Sequence, residues 1–415
     1  MPNPPSIPSL AEQALERCDH LGRFTEEPGK ITRTFLSPPM RDVHREVRRW
    51  MMAAGLAVRI DPMGNIVGQT DGTAPNTPVL LIGSHLDTVP DAGRYDGILG
   101  VMLGIAVVEA LNHRRLPFAI EVVGFSEEEG VRFKTPYFGS KSFTNTLEPR
   151  LLDVRDSAGI SVGEAASAFG LSANSSPLDP SRYLAYIEPH IEQGPVLESA
   201  ARPLGVVRTI VGQSRWTVSF TGRAAHAGTT PMTARHDALV AAARLIDHVC
   251  AFATGEAGLT ATVGRIEAHP NASNVIPGHA QLSLDVRHAD DDTRTAALQA
   301  ILDRARAIAT QAACTLQATP DSEYASVPMD PHVTRLLADA VHHITGDPPL
   351  MLDSGAGHDA AILAPLVPSA MLFLRSPGGI SHHPDESVQP GDVELALAVL
   401  IQFIEHLAQS RKVST

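Results

Sequence analysis

The chain predicts an α/β fold with a mostly parallel or mixed sheet, into which a second, α+β layer is inserted. Three observations carry this. Residues 79–82 are four consecutive large apolar side chains between Pro78 and Gly83, as in a strand buried on both faces. Such runs alternate with helical stretches through the first half of the chain and again after Tyr324. Between them, from about Gly212, residues 216–220 and 280–286 alternate cleanly between apolar and polar, as strands with one wet face do.

Each element has a local reason. Ser9-Leu10-Ala11-Glu12 has capping-box spacing, and Leu10, Ala14, Cys18 and Leu21 then recur at helical intervals. Ser37 followed by Pro38 starts a second helix, with Met40, Val43, Val47, Trp50 and Ala54 on one face and Gly55 as its stop. Val58 and Ile60, a turn at 62–65 and Ile66-Val67 form a hairpin. After the buried strand, residues 98–110 are apolar nearly all round and belong inside. Residues 120–125 and 184–187 are further strands, and the Ser/Pro-rich run 172–181 is a surface loop. The inserted layer, 212–329, carries helices over roughly 233–252 and 293–312, the second with Asp290, Asp291 and Asp292 at its positive end. The first texture, over 1–211, resumes in 330–415. It brings a helix near 331–344, a Gly-rich turn at 354–359, a strand at 370–374 and a closing helix over 393–408.

Composition narrows the function. With 43% apolar and 19% charged residues over 415 positions, the chain is an ordinary globular one large enough for more than one domain. A net charge of −13 argues against nucleic acid or an anionic membrane as partner. Three scattered cysteines, Cys18, Cys250 and Cys314, indicate neither a disulfide framework nor a thiolate metal cluster, so the expected compartment is reducing. There is no basic-then-apolar leader pattern and no apolar run of bilayer length, so the expectation is a cytoplasmic protein without a membrane partner.

Chemistry gathers where strands end. His85 and Asp87 follow the 79–82 strand two residues apart, on one side of an extended backbone, so the carboxylate can hold one imidazole nitrogen while the other binds metal. Asp96 comes after a loop containing Pro90 and Gly93. Glu127, Glu128 and Glu129 follow the 120–125 strand. An isolated acidic triplet is ordinarily a solvated turn, but at the end of a buried strand it implies a cation or proton held between the carboxylates. One of them can ligate metal while its neighbour acts as general base. His190 and His382 again lie beyond strands, which gives five N/O candidates at successive strand ends and suits a two-metal hydrolase.

With these motifs assembled, the chain resembles the amidohydrolase branch of the dinuclear-metal aminoacylase and carboxypeptidase superfamily, which holds allantoate amidohydrolases, N-carbamoyl-L-amino-acid hydrolases and ureidoglycolate hydrolases. The resemblance runs from about Thr32 to Glu386. It implies a mixed-sheet dinuclear-metal catalytic domain with an inserted α+β lid and dimerisation domain. By resemblance, His85, Asp96, Glu129, His190 and His382 bind two divalent ions, Zn2+ or Mn2+, with Asp96 bridging, Asp87 orienting His85 and Glu128 as general base. Pro189 stands where the family has an aliphatic residue, and His383 adjoins His382. His226 in Ala-Ala-His-Ala-Gly-Thr-Thr-Pro is implied to polarise the substrate carbonyl of the partner subunit. Asn274, Arg287, Gln193 and the backbone N–H groups of Gly355, Ala356 and Gly357 are implied substrate contacts. The implied substrate is a small ureido acid. Allantoate is favoured by residues 31–35, 126–133 and 374–380; a carbamoyl amino acid, or ureidoglycolate or β-ureidopropionate, is the alternative, ahead of a dipeptidase or a silent ureido-acid binder.

Overall fold

The computed structural model describes residues 6–70, 77–172 and 179–412, and the chain divides into two compact units, Met1–Arg208 with Pro328–Thr415, and Thr209–Val327. The first is built on a mixed sheet. At its centre four strands run parallel in the order Ala119–Phe125, Val79–His85, Tyr183–Ile191, Ser369–Leu374. The hairpin of Leu56–Ile60 and Ile66–Thr70 extends one side antiparallel, and Leu204–Ile210 extends the other. Every residue of Val79–His85, Ala119–Phe125 and Ser369–Leu374 is buried, which is why these stretches read as continuous apolar runs.

Helix Ile98–Leu111 is buried along its whole first three turns, Ile98 to Val108, and packs against the Val79–His85 strand. Its nearly uniform hydrophobicity reflects this position; each Val, Leu or Ile so buried contributes about 1.5–3 kcal/mol relative to exposure. Helices Ile7–Leu21, Pro331–Thr345 and Pro390–Lys412 complete the same core, Met40, Val43, Val47 and Trp50 of Pro38–Ala53 joining it.

Several boundaries differ from the sequence expectation. The first helix begins at Ile7, capped by the Ser6 side chain, which accepts from the Ser9 N–H at 3.4 Å. Ser9 lies inside the first turn, because Pro8 occupies a position where a missing N–H costs nothing and the helix starts ahead of it. The 184–187 strand continues through Pro189 to Ile191. Its ladder to Val79–His85 ends at Ile187, and from there it pairs only with Ser369–Leu374, so a proline that would interrupt a two-sided ladder is accommodated. Most of the 172–181 run lies outside the described residues.

The second unit is a four-stranded antiparallel sheet in the order Thr315–Tyr324, Gly212–Thr221, His279–His288, Thr260–His269. Ala280, Leu282, Leu284 and Val286 alternate inward onto helices Ala238–Gly255 and Asp291–Gln311, which leaves Asp285 and Arg287 together on the opposite face. The first of these helices starts at Ala238, capped by Asp237, five residues later than its apolar pattern suggested. It is also long and apolar enough to cross a membrane by length and composition, contrary to the expectation of no such run. Arg244 and Asp247 interrupt it, and Ala241, Ala242, Leu245 and Val249 are buried in the core of this unit.

Candidate metal centre

Because the four central strands are parallel, their carboxyl ends share one edge, the place where α/β sheets hold ligands. His85 is the last residue of its strand, Glu127, Glu128 and Glu129 follow Phe125, His190 is the penultimate residue of its strand, and His382 lies in the loop after Leu374. His190 is therefore within its strand, not beyond it.

Four overlapping sets of donors form there among the described residues, one of them His85, Glu128 and Glu129, and two of the four share Asp96. His85, Asp96 and His190 place a ligand atom each within 4.8 Å of one another, and so do Asp96, Glu129 and His382. Asp96 Oδ1 faces His190 Nε2 at 3.1 Å and His85 Nε2 at 3.8 Å, whereas Oδ2 faces His382 Nε2 at 3.1 Å. His85 Nδ1 lies 3.0 Å from the Asp87 carbonyl oxygen and His190 Nδ1 2.8 Å from that of Ile191. A carbonyl only accepts, so both rings carry a proton on Nδ1 and present Nε2 to Asp96, the nitrogen a metal would take. His190 Nε2 and Asp96 Oδ1 are buried and, among the described residues, have no hydrogen-bond partner. Donor atoms gathered and left unpaired in this way fit a divalent cation. Gly97 makes the approach possible: at φ +71° it adopts a conformation that favours glycine, and a Cβ there would lie 2.4 Å from the His85 ring.

The carboxylate of Asp87 does more than expected: its Oδ1 lies 3.5 Å from His85 Nδ1, and it also reaches the acidic turn. The nearer partner of the His85 imidazole is the main-chain carbonyl of residue 87, at 3.0 Å, and the carboxylate accepts from the Glu128 N–H at 3.0 Å and the Glu129 N–H at 3.1 Å. Leaving the strand at His85 turns the Asp87 side chain across to the acidic turn, so it fixes the backbone of the general-base candidate.

The surroundings are crowded with carboxylates. Asp87, Asp96, Glu127, Glu128, Glu188, Asp359 and Glu386 are all buried. Burial, then the neighbouring Glu129 and Asp359, push Glu128 well above the usual carboxylate range, and burial followed by Asp96 raises Glu129 to about 7. Glu127 is driven up by burial and by Asp87 and Glu129, and among the described residues neither of its oxygens has a hydrogen-bond partner. Burial also opposes ionisation of Asp96, yet His190, His382 and His85 hold it well below the ordinary value. The hydrogen bond to Asp96 lifts His382 to about 9. Such a concentration of acid groups calls for added positive charge, which bound cations supply.

His382 joins this cluster, whereas His383 turns to Asp385, its Nδ1 accepting from the Asp385 N–H at 3.2 Å. Gln193, at φ +60°, donates to Asp96 Oδ2 at 2.9 Å. Gly357 lies against the Tyr137 hydroxyl and Glu128 Oε1, which brings the 355–357 turn to the general-base candidate. The Ala356 N–H, however, is taken by Ser354 Oγ at 3.2 Å, which corrects the expectation that it faces a ligand.

Sequence reasoning passed over several residues beside the centre. Glu188, His190 and His358 form a further buried donor group, with Glu188 accepting from Ser84 Oγ at 3.0 Å and from the Ala360 N–H at 2.8 Å. Buried Arg33 donates to the carbonyls of Leu86, Leu21 and Phe24, backing the loop between His85 and Asp96. The available signals were a histidine and an aspartate directly after the Gly-rich turn, and an arginine inside an otherwise apolar and threonine-rich stretch.

In the second unit, His226 and Asn274 come together. The two-residue strand Ala225–His226 pairs with Val275–Ile276, and the Ala227 N–H donates to the Asn274 carbonyl at 2.9 Å. His226 Nδ1 accepts from the Gly228 and Thr229 N–H groups at 3.1 and 3.2 Å, so the neutral ring carries its proton on Nε2, as a hydrogen-bond donor. Arg287 is forked onto Asp285 through Nε at 2.9 Å and Nη2 at 2.8 Å, and Arg215 Nε also reaches Asp285 at 3.0 Å.

A mixed α/β sheet whose parallel strand ends gather two donor groups around one shared carboxylate defines a hydrolase suited to divalent ions. The chain belongs to peptidase family M20/M25/M40, whose model matches residues 81–406. It is 39% identical over 446 residues to a probable allantoate deiminase of Oryza sativa subsp. japonica, spanning 98% of this chain and 90% of that one. It is also 37% identical over 404 residues to an N-carbamoyl-L-amino acid amidohydrolase of Geobacillus stearothermophilus, spanning 96% and 98%. The crystal structure of an amidase of the hydantoinase/carbamoylase family from Burkholderia multivorans matches with a TM-score of 0.89 at 33% identity, over 95% of this chain and 97% of that one.

Proposed function

We propose that the protein hydrolyses a ureido C–N bond of a small carboxylate, with allantoate as substrate and ureidoglycine, ammonia and carbon dioxide as products. The observation that supports it most is the pair of donor groups sharing Asp96 with Glu128 buried alongside. His85, Asp96 and His190 would hold one divalent ion, and Asp96, Glu129 and His382 a second, either Zn2+ or Mn2+. When bound, such ions lower the pKa of water and polarise a carbonyl.

The chain's own groups do the rest. Glu128, fixed through its N–H by Asp87 and largely shielded from solvent, takes the proton of the attacking water and delivers it to the departing nitrogen. His226, with its proton on Nε2, donates to the carbonyl oxygen as charge develops there. Arg287, oriented by Asp285, and Asn274 hold the substrate carboxylate, and Gln193 and the Gly357 backbone the ureido group. In this reading Thr209–Val327 is a lid that also forms a homodimer, and His226 serves the active site of the partner subunit. Two edge strands, Thr260–His269 and Thr315–Tyr324, leave ladder groups available for such pairing.

Allantoate carries one carboxylate and two ureido groups, and a site rich in donors is better satisfied by it than by a carbamoyl amino acid with an apolar side chain. Each donor left unpaired costs on the order of 1–3 kcal/mol. The near-equal identity to the Geobacillus stearothermophilus enzyme supports carbamoyl amino acid hydrolysis as the second reading. Ammonia release measured with added Zn2+ or Mn2+ over allantoate and N-carbamoyl derivatives of methionine, alanine and β-alanine separates them. The expected result is the highest kcat/KM for allantoate; a carbamoyl amino acid ahead by tenfold or more reverses the assignment.

A further inference from the structure

We propose that Glu386 is a positioning residue of the metal centre, its one carboxylate tying the loop that delivers Asp96 to the loop that delivers His382. Glu386 Oε1 accepts from the Tyr95 N–H at 2.8 Å and from the Asp96 N–H at 3.2 Å. Its Oε2 accepts from Ser381 Oγ at 3.1 Å, and that hydroxyl also lies 3.1 Å from Asp96 Oδ2. The Glu386 N–H donates to the His383 carbonyl at 3.0 Å, closing the turn that follows His382. Glu386 is 3% exposed, so water does not substitute for these contacts.

The space it occupies is made for it. A Cβ on Gly93 would lie 2.2 Å from Glu386 Oε1 and 2.3 Å from Glu386 Cβ, so a side chain at 93 and the carboxylate at 386 exclude one another. The two donor groups depend on this tie unequally. His85 and His190 sit on strands of the central sheet, whereas His382 sits in a loop with a left-handed backbone, φ +56°. Its distance to Asp96 is set by the Ser381–Glu386 connection together with Gln193, whose Nε2 lies 2.9 Å from Asp96 Oδ2 and 3.3 Å from Ser381 Oγ. Loss of Glu386 therefore releases His382 from Asp96 and Glu129, whereas the first group loses only the backbone hold on Asp96, because His85 and His190 stay on their strands.

The inference rests on the dinuclear reading and is tested apart from activity. Metal-free wild-type, Glu386→Ala, Glu386→Gln and Gly93→Ala chains are titrated with Zn2+ against a chelator, and their metal-free melting temperatures are recorded. Wild type is expected to bind two ions. Glu386→Ala should bind one ion 10–100-fold more weakly, the usual effect of removing a group that orients ligands, and weaken the other, held by the strand-borne His85 and His190, by clearly less. Gly93→Ala should do the same without altering any ligand or Glu386 itself. Glu386→Gln, which retains an acceptor for the two N–H groups, should recover most of the loss. Two ions bound by Glu386→Ala with affinities within threefold of wild type would overturn the inference. So would equal weakening of both ions together with a matching fall in the metal-free melting temperature, which is the mark of a purely structural role. A wild-type chain that takes up fewer than two ions overturns the dinuclear reading, and this inference with it.

Discussion

Replacing Asp87 separates its hold on the Glu128 backbone from its contact with His85. The carboxylate accepts from the backbone N–H groups of Glu128 and Glu129 at 3.0 and 3.1 Å, in a region where Glu128 is 8% exposed. Asp87→Ala leaves two shielded N–H donors without an acceptor, at about 1–3 kcal/mol each, so a loss of about 2–6 kcal/mol is expected. Asp87→Asn keeps one carbonyl oxygen but turns an amide donor toward the other N–H, and should cost about half as much. Urea unfolding of the metal-free chains reads this directly, as a shifted midpoint at unchanged slope. Both variants retain the main-chain carbonyl of residue 87 at 3.0 Å from the His85 ring, and Asp87→Ala loses only the longer carboxylate contact of 3.5 Å, so the ion at His85, Asp96 and His190 should bind nearly as in wild type. Turnover should fall, because the backbone that carries Glu128 is no longer fixed. A change under 1 kcal/mol for Asp87→Ala, or loss of metal from His85 without loss of stability, would refute this assignment.

Glu128→Gln should keep both ions and lose about 10²–10⁴-fold in kcat, since an amide cannot relay a proton, whereas Glu129→Gln should weaken metal binding; near-normal kcat in the first would mean the two neighbours are exchanged. His44 is buried against Phe169, and burial, aided by Arg41, pushes its pKa down to about 4 from an ordinary value near 6.5. The unfolded chain therefore binds a proton that the folded one refuses. Stability is complete above about pH 6.5 and falls by up to about 1.4 kcal/mol per unit on acidification toward pH 4, so His44→Leu should show a flatter loss of melting temperature between pH 7 and 5 than wild type. Identical slopes in the two proteins would exclude His44 as the source. If His226 acts across a dimer, mixing Glu128→Gln and His226→Ala chains should restore part of the activity each lacks; no recovery after verified subunit exchange counts against action in trans.

The parts of the centre legible in the sequence are those set by strand periodicity. His85 and the acidic triplet follow stretches that are apolar because both sheet faces are covered, and polar residues directly after such a run have to lie at its carboxyl edge. The alternation of residues 280–286 likewise placed Asp285 and Arg287 on one face. What was not legible depends on where the chain turns. That the Asp87 side chain reaches the Glu128 backbone as well as His85 is decided by the end of the strand at His85, which no spacing rule contains. Pro189 reads as a strand terminator, and only the one-sided pairing beyond Ile187 explains why the strand carries on to His190. Glu386 reads as one more acidic loop residue, and its partners Tyr95 and Asp96 lie some 290 positions away. Capping at Ser6 rather than Ser9 turned on the proline between them.

The most direct test of the dinuclear centre is the metal content of fully active wild-type enzyme, freed of excess ions and measured by elemental analysis against chain concentration. Two divalent ions per chain are predicted, falling to one in a His382→Ala chain because His85, Asp96 and His190 remain. Full activity with one ion per chain, or with none, would contradict the assignment of Asp96 as the residue shared between two metal positions.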